Sequence, residues 1–196
     1  MIDRRRQSSH QAGDERGVTL LETAIVLPLL LMLAIGLAEV GFLVIDQMAV
    51  ANAAREGARV GAAAGPYEDT SAMIDADDLI LRSVEQALCH LENGRPERVL
   101  IYAADASGGP ISSTKTNEYV LPVATSLNCT STGASSFVCA TCPWLVATRD
   151  NVPPDFEDIG VEIEYKHNPI LGFFPFGGLL NLSDRAVMRI EPDTRG

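Results

Sequence analysis

The chain has few basic residues for its acidic content. Lys and Arg total 15 against 26 Asp and Glu, which gives a formal net charge of −11 at pH 7. Nucleic-acid binding needs a basic face against the phosphates, so the composition argues against that function. An acidic surface also gains little from anionic lipid headgroups. We therefore expect the partners to be mainly other proteins.

Catalytic motifs are also missing from the sequence. The three histidines, His10, His90 and His167, have no recognisable nucleophile or metal motif around them, and there is no internal repeat. Catalysis by side chains needs a nucleophile, a base and an orienting group within reach of one another. We predict a protein that is not an enzyme and that needs no cofactor.

Long apolar runs are absent except for one near the N-terminus, at residues 18–45. As a helix, these 28 residues would span roughly 42 Å, more than a hydrocarbon core of about 30 Å. Glu22 and Glu39 interrupt the run 17 residues apart, or roughly 26 Å along a helix, so each carboxylate can lie near an opposite membrane interface. The run predicts one transmembrane helix that contacts lipid.

Charge on the two sides of this run predicts its orientation. Residues 1–17 carry a net charge of +1 and the rest of the chain −12. Positive charge before an apolar run holds that end in the cytoplasm. We predict a polar cytoplasmic leader without regular structure over residues 1–17, and a periplasmic or extracellular domain after the anchor.

The helix is predicted to continue beyond the membrane to residue 64. Residues 47–64 are rich in Ala, and the first turn signal after them is Gly65-Pro66. Ala53, Gly57 and Gly61 recur every four residues, which places small residues on one face and allows a second helix to approach closely. We predict an assembly role for Gly57 and Gly61. The alternative is that this face packs on the chain's own domain.

Residues 65–196 are predicted to form a small α+β domain, in which a helix packs on an antiparallel sheet. Leu81, Val84, Leu88 and Leu91 have helical spacing. Val161, Ile163 and Tyr165 alternate with charged residues, as in a half-buried strand. The predicted elements are a helix at 75–91, strands at 98–104, 118–123, 161–166 and 182–190, and a Ser/Thr/Cys-rich loop at 126–144.

Four cysteines follow the anchor: Cys89, Cys129, Cys139 and Cys142. Outside the cytoplasm an even number predicts two disulfides, with three possible pairings among which the sequence does not choose. Cys139 and Cys142 form a C-x-x-C, which also occurs in redox enzymes and zinc sites. Zinc would need Cys89 or Cys129 together with His90 or His167. A structural role is the preferred interpretation.

The start of the apolar run carries a motif. The segment is Arg16-Gly-Val-Thr-Leu-Leu-Glu22, and Pro28 follows six residues after the Glu. It resembles the processing site of type IV prepilins and, more closely, the TadE family of minor pilin-like proteins of tight-adherence (Flp) pili. The segment Ala51-Asn-Ala-Ala-Arg-Glu-Gly-Ala-Arg59 also resembles that family. Thr23 stands where many related pilins carry an aromatic residue, which argues against a major pilin.

The resemblance implies a function and its partners. A prepilin-type peptidase would cleave between Gly17 and Val18. Glu22, one helical turn on, would neutralise the new amine at Val18 or that of a neighbouring subunit, because an unpaired buried cation is costly. Pro28 would bend the anchor. The protein would lie in the bacterial inner membrane and join other pilin-like subunits and the pilus assembly machinery.

Three alternatives remain open at this level. The run could be a secretory signal peptide cleaved near Ala38, although apolar residues continue to Ile45. It could be an uncleaved signal anchor, which would make the protein an extracytoplasmic binding module that does not polymerise. Glu22 could also be an interfacial acid without a partner.

Overall fold

The structure is a computed structural model that describes residues 8–69, 74–91, 94–130, 133–152, 154, 156–169 and 180–192. The chain divides into two compact units, residues 1–41 and 42–196. The first unit is helical where it is described, and the second is an α+β domain. The predicted fold class is therefore confirmed.

Helix α1 is a single helix over Ser8–Ala64. It begins inside the leader, so the prediction of no regular structure is wrong for residues 8–17. The physical reason is that Gln11, Ala12, Glu15 and Arg16 favour a helix and no proline precedes the apolar run. α1 ends at Ala64, where Gly65 takes a positive φ of +56° and its N–H bonds to the carbonyl of Gly61 at 3.0 Å. Glycine accommodates this helix-ending conformation without a Cβ clash.

The second helix, α2, covers Ala76–Leu88, and its start agrees with the prediction. The Asp75 side chain caps it by accepting a hydrogen bond from the N–H of Asp78 at 2.9 Å. α2 ends three residues before the predicted Leu91, because Cys89 enters a turn in which the Leu91 N–H bonds to the Leu88 carbonyl. A short antiparallel pair, β1 (Glu68–Asp69) and β2 (Ile74–Asp75), precedes it and was not predicted.

Five antiparallel strands form the main sheet in the order β5-β4-β3-β6-β7. Their bounds are β3 Gly94–Ala103, β4 Thr116–Val120, β5 Val138–Thr141, β6 Asp158–His167 and β7 Leu180–Arg189. Four of them match predicted strands. β5 was missed, since it lies within the segment that was predicted to be a loop.

The core lies between one face of the sheet and the two helices. α1 contributes small residues from Val50 onward, and α2 contributes Ile80, Val84 and Leu88. β6 supplies Val161, Ile163 and Tyr165, the three residues that the alternation assigned to the buried face. On the opposite face of the sheet Arg98 bridges Glu118, at 3.0 Å, and Glu164.

Candidate functional site

The predicted processing site lies within α1 and is open. Val18 is exposed, and an added Cβ at Gly17 would meet no atom within 4 Å. At Gly17 the helix surface is therefore not packed against any other described element. Cleavage there stays a prediction, but a larger side chain at Gly17 has room within this fold.

Glu22 is exposed and lies four residues after Val18 in the same helix. Residues four apart are neighbours on a helix surface, so the two stand on one face. This is the arrangement that pairing between the carboxylate and an amine at Val18 requires. Nearby, Thr23 Oγ1 donates to the Thr19 carbonyl at 2.8 Å, which satisfies that hydroxyl inside the helix.

Pro28 does not end the helix, because α1 continues on both sides of it. By length and composition, Gly17–Ala64 contains the one described helix that is able to cross a membrane. Exposed apolar side chains follow one another through this part of α1, including Leu29, Leu30 and Leu31. These features are consistent with a single-pass membrane protein, and the predicted bend at Pro28 stays a prediction.

Gly57 and Gly61 are buried against the chain's own domain. A Cβ at Gly57 would lie 2.8 Å from Val84 Cγ2, and one at Gly61 would lie 2.8 Å from Ile80 Cδ1 and 2.9 Å from Ile159 Cδ1. Such distances are too short for a real Cβ, so the close approach of α1 to α2 and β6 depends on glycine. These two residues therefore pack on the chain's own domain, which is the alternative that the sequence left open. We withdraw the predicted assembly contact for them.

A buried polar cluster that the sequence did not predict forms where α1 joins the sheet. Asp46 Oδ2 accepts a hydrogen bond from Tyr165 Oη at 2.7 Å and lies 2.6 Å from His167 Nδ1. Asp46 and His167 are both buried. Burial, with the bond to Asp46, raises the pKa of the Tyr165 phenol well above its usual value. Asp46 had no sequence signal beyond being an acid inside an otherwise apolar helical segment.

A second buried cluster surrounds Asp77 at the start of α2. Its carboxylate pairs with Arg149 and accepts hydrogen bonds from Asn117 Nδ2 and Tyr119 Oη, both at 2.8 Å. The Arg149 guanidinium lies 4.4 Å from the centre of the Trp144 ring. Burial and the neighbouring Asp77 raise the pKa of Tyr119. The cluster holds the loop after β5 to α2, which is a structural arrangement.

The cysteines form two disulfides, as predicted, and the structure supplies the pairing. Cys89 bonds to Cys129, and Cys139 bonds to Cys142. All four are used, and His167 is engaged by Asp46. The described residues contain no group of three or more His, Cys, Asp or Glu that is able to hold a metal ion. The zinc alternative therefore has no support in the described part of the chain.

Comparison with known families agrees with the motif at the start of α1. Residues 17–59 match the family described as TadE-like protein. The resemblance inferred from Gly17, Glu22 and Pro28 is confirmed over this segment, which begins at the predicted processing site. The TadE-like segment ends at Arg59, so it covers the apolar run and the first small residues that pack in the domain. No curated protein and no solved structure matches the chain.

Proposed function

We propose that the chain is a minor pilin-like structural protein that takes part in assembling a tight-adherence (Flp-type) pilus. The observation that carries the proposal is that the TadE-like match begins at Gly17, directly before the apolar run of α1, with Glu22 one turn beyond Val18. A TadE-like, membrane-capable helix fits a pilus-associated membrane protein. The proposed role is structural rather than catalytic.

In this proposal the chain inserts in the bacterial inner membrane with its N-terminus in the cytoplasm. A prepilin-type peptidase cleaves after Gly17 and leaves an amine on Val18. Glu22 then pairs with that amine, or with the amine of another pilin-like subunit, and this offsets the cost of a charge among packed helices. The partners are the peptidase, other pilin-like subunits with the assembly machinery, and membrane lipid.

The processing step has a clean test because Gly17 makes no packing contact. Gly17→Leu should accumulate as a full-length precursor in the membrane, whereas the unaltered protein should have a mature mass that begins at Val18. Gly36→Leu is the matched control, since a Cβ there also meets no atom within 4 Å. Normal maturation of the Gly17 variant would refute processing at this site, and a mature N-terminus near Glu39 would identify a secreted protein.

The assembly step is tested with Glu22→Gln as the only copy of the protein. The variant should reach the membrane at normal levels with a folded outer domain, but fibres and co-purification with pilin-like subunits should be lost. Glu39→Gln removes the other carboxylate of the apolar run and should assemble normally. Normal fibres with Glu22→Gln would show that this residue is not needed.

The second candidate is a membrane-anchored extracytoplasmic binding module that does not polymerise. The observation in its favour is that the α+β domain lies almost entirely outside the TadE-like match. The binding-module function predicts an intact N-terminus at Met1 and no co-purification with pilin-like subunits. Intact-protein mass spectrometry of the membrane fraction separates the two functions.

A further inference from the structure

Helix α1 runs along the sheet of the second unit from one end to the other. At one end Asp46 contacts Tyr165 and His167. At the opposite end the Ala62 carbonyl accepts a hydrogen bond from the N–H of Glu191 at 2.9 Å. We call the first the entry end, defined by Asp46, His167 and the strand residues beside them. We call the second the far end, defined by Ala62, Glu191 and the residues beside them.

The outward face of α1 changes character near the entry end. Val44, Ile45 and Met48 are exposed apolar side chains, with Met48 60% exposed. One turn later Asn52, Arg55 and Arg59 are exposed instead. Exposed apolar side chains thus continue from the apolar run into the second unit and stop after Met48. A lipid environment suits the first set, and water suits the second.

The entry end also carries an exposed apolar residue that is distant in sequence from α1. Val123 is 94% exposed. Its carbonyl accepts a hydrogen bond from Arg95 Nη1 at 2.6 Å, and Arg95 lies opposite Lys166 in the β3–β6 ladder. Gly94 lies next to Arg95 and opposite His167, which contacts Asp46. The chain therefore places Val123 and two cations at the end where α1 enters.

Charge differs between the two ends although the whole chain is acidic. Arg95 is bound to backbone carbonyls, which carry no net charge, and Lys166 pairs with Glu97. The far end carries five carboxylates, of which Glu157 pairs with Lys115 and Asp158 pairs with Arg189, so that it keeps an excess of negative charge: Asp105, Asp150, Glu157, Asp158 and Glu191. Cations beside the exposed Val123 side chain favour contact with lipid phosphates, whereas carboxylates favour contact with water.

The length of the apolar face fits the same assignment. Val18 and Met48 are 30 positions apart, or about 45 Å along the helix, which matches a bilayer of about 40–45 Å with its headgroups. We propose that the entry end lies in the lipid headgroup layer, with Val123 and Met48 in contact with lipid. The occupant of this surface is the bilayer itself, and the inference rests on the proposed membrane anchor.

The test uses the full chain in phospholipid vesicles with one environment-sensitive dye on a single introduced cysteine. The four native cysteines are in disulfides, so labelling without reductant is selective. The variants are Val123→Cys and Met48→Cys at the entry end, with Val152→Cys as the matched control. Val152 is also an exposed valine, at 61%, and its N–H bonds to Asp150 at the far end. A label at Leu31→Cys reports whether the apolar part of α1 lies in the bilayer.

Quenching by a lipid with a nitroxide at its headgroup is compared with quenching by aqueous iodide. The labels at Val123 and Met48 should be quenched by the lipid several-fold more strongly than the label at Val152. Equal quenching at Val123 and Val152, with Leu31 quenched by an acyl-chain nitroxide, overturns the proposed surface and leaves the anchor intact. Loss of lipid quenching at Leu31 overturns the anchor itself. A Val123 label shielded from both lipid and iodide means that protein covers this end, which also overturns the assignment.

Discussion

The two disulfides should contribute unequally to the stability of the domain. Cys89–Cys129 joins residues 40 apart in sequence, whereas Cys139–Cys142 joins residues 3 apart. A disulfide stabilises mainly by reducing the conformational entropy of the unfolded chain, and the effect grows with the length of the loop that it closes. The longer loop also ties the segment after β4 to the C-terminal end of α2.

The loop lengths set the size of the difference. The chain-entropy relation gives about 4 kcal/mol for a loop of about 40 residues and about 2 kcal/mol for one of about 3. Cys89→Ser with Cys129→Ser should therefore lose about 2 kcal/mol more than Cys139→Ser with Cys142→Ser. For a domain of this size, that corresponds to a Tm lower by about 4–8 °C.

Trp144 provides the assay, because it is the only tryptophan and is buried under Arg149. Its fluorescence during denaturant and thermal unfolding of the full chain in detergent follows the domain, since α1 contributes no tryptophan. Each double variant is compared with the oxidised parent protein. If the two variants lose equal stability, or if the Cys139–Cys142 variant loses more, loop closure does not govern the contribution of these bonds.

Two buried contacts yield further predictions with the same assay. Asp77→Ala leaves the Arg149 charge buried without its carboxylate and should cost about 3–5 kcal/mol. Asp78→Ala loses an ion pair with Arg82 whose side chains are 22% and 24% exposed, and it should cost about 1 kcal/mol. Equal losses would contradict the role of full burial. Gly61→Val should cost about 1–3 kcal/mol of stability through overpacking. The control Ala63→Val, on the exposed face of α1, should cost under about 1 kcal/mol. An unchanged unfolding midpoint for Gly61→Val would mean that the helix shifts to accept the larger side chain.

The elements that the sequence predicted well are those with strong periodic patterns. The alternation around Ile163 and the capped amphipathic α2 each have a pattern that local physics produces, and both were found near their predicted bounds. β5 has no such pattern. All four of its residues are exposed, and it is a strand because it pairs with β4 at the sheet edge. That pairing is a tertiary contact, which no local pattern encodes.

The buried polar clusters escaped prediction for a related reason. Asp46 contacts Tyr165 across 119 positions of sequence, and Asp77 contacts Arg149 across 72. A single acid gives no sign of whether it will be solvated or paired in the core. By contrast, Gly17, Glu22 and Pro28 indicated the TadE-like resemblance, because that pattern depends only on local spacing. The match over residues 17–59 supports that interpretation.

The continuous helix α1 has different packing requirements along its length, and this determines which variants report on assembly. Through Met48 most of its exposed side chains are apolar, while from Val50 onward its small residues fit against α2 and β6. Fibre loss in a variant at Gly57 or Gly61 would not identify an assembly contact, because the added side chain overlaps core residues and destabilises the domain. Gly17 and Glu22 are exposed and make no core contact, so variants there are expected to leave the fold of the domain unchanged. Fibre loss with Glu22→Gln and normal unfolding of the domain would therefore assign the assembly role to the N-terminal segment.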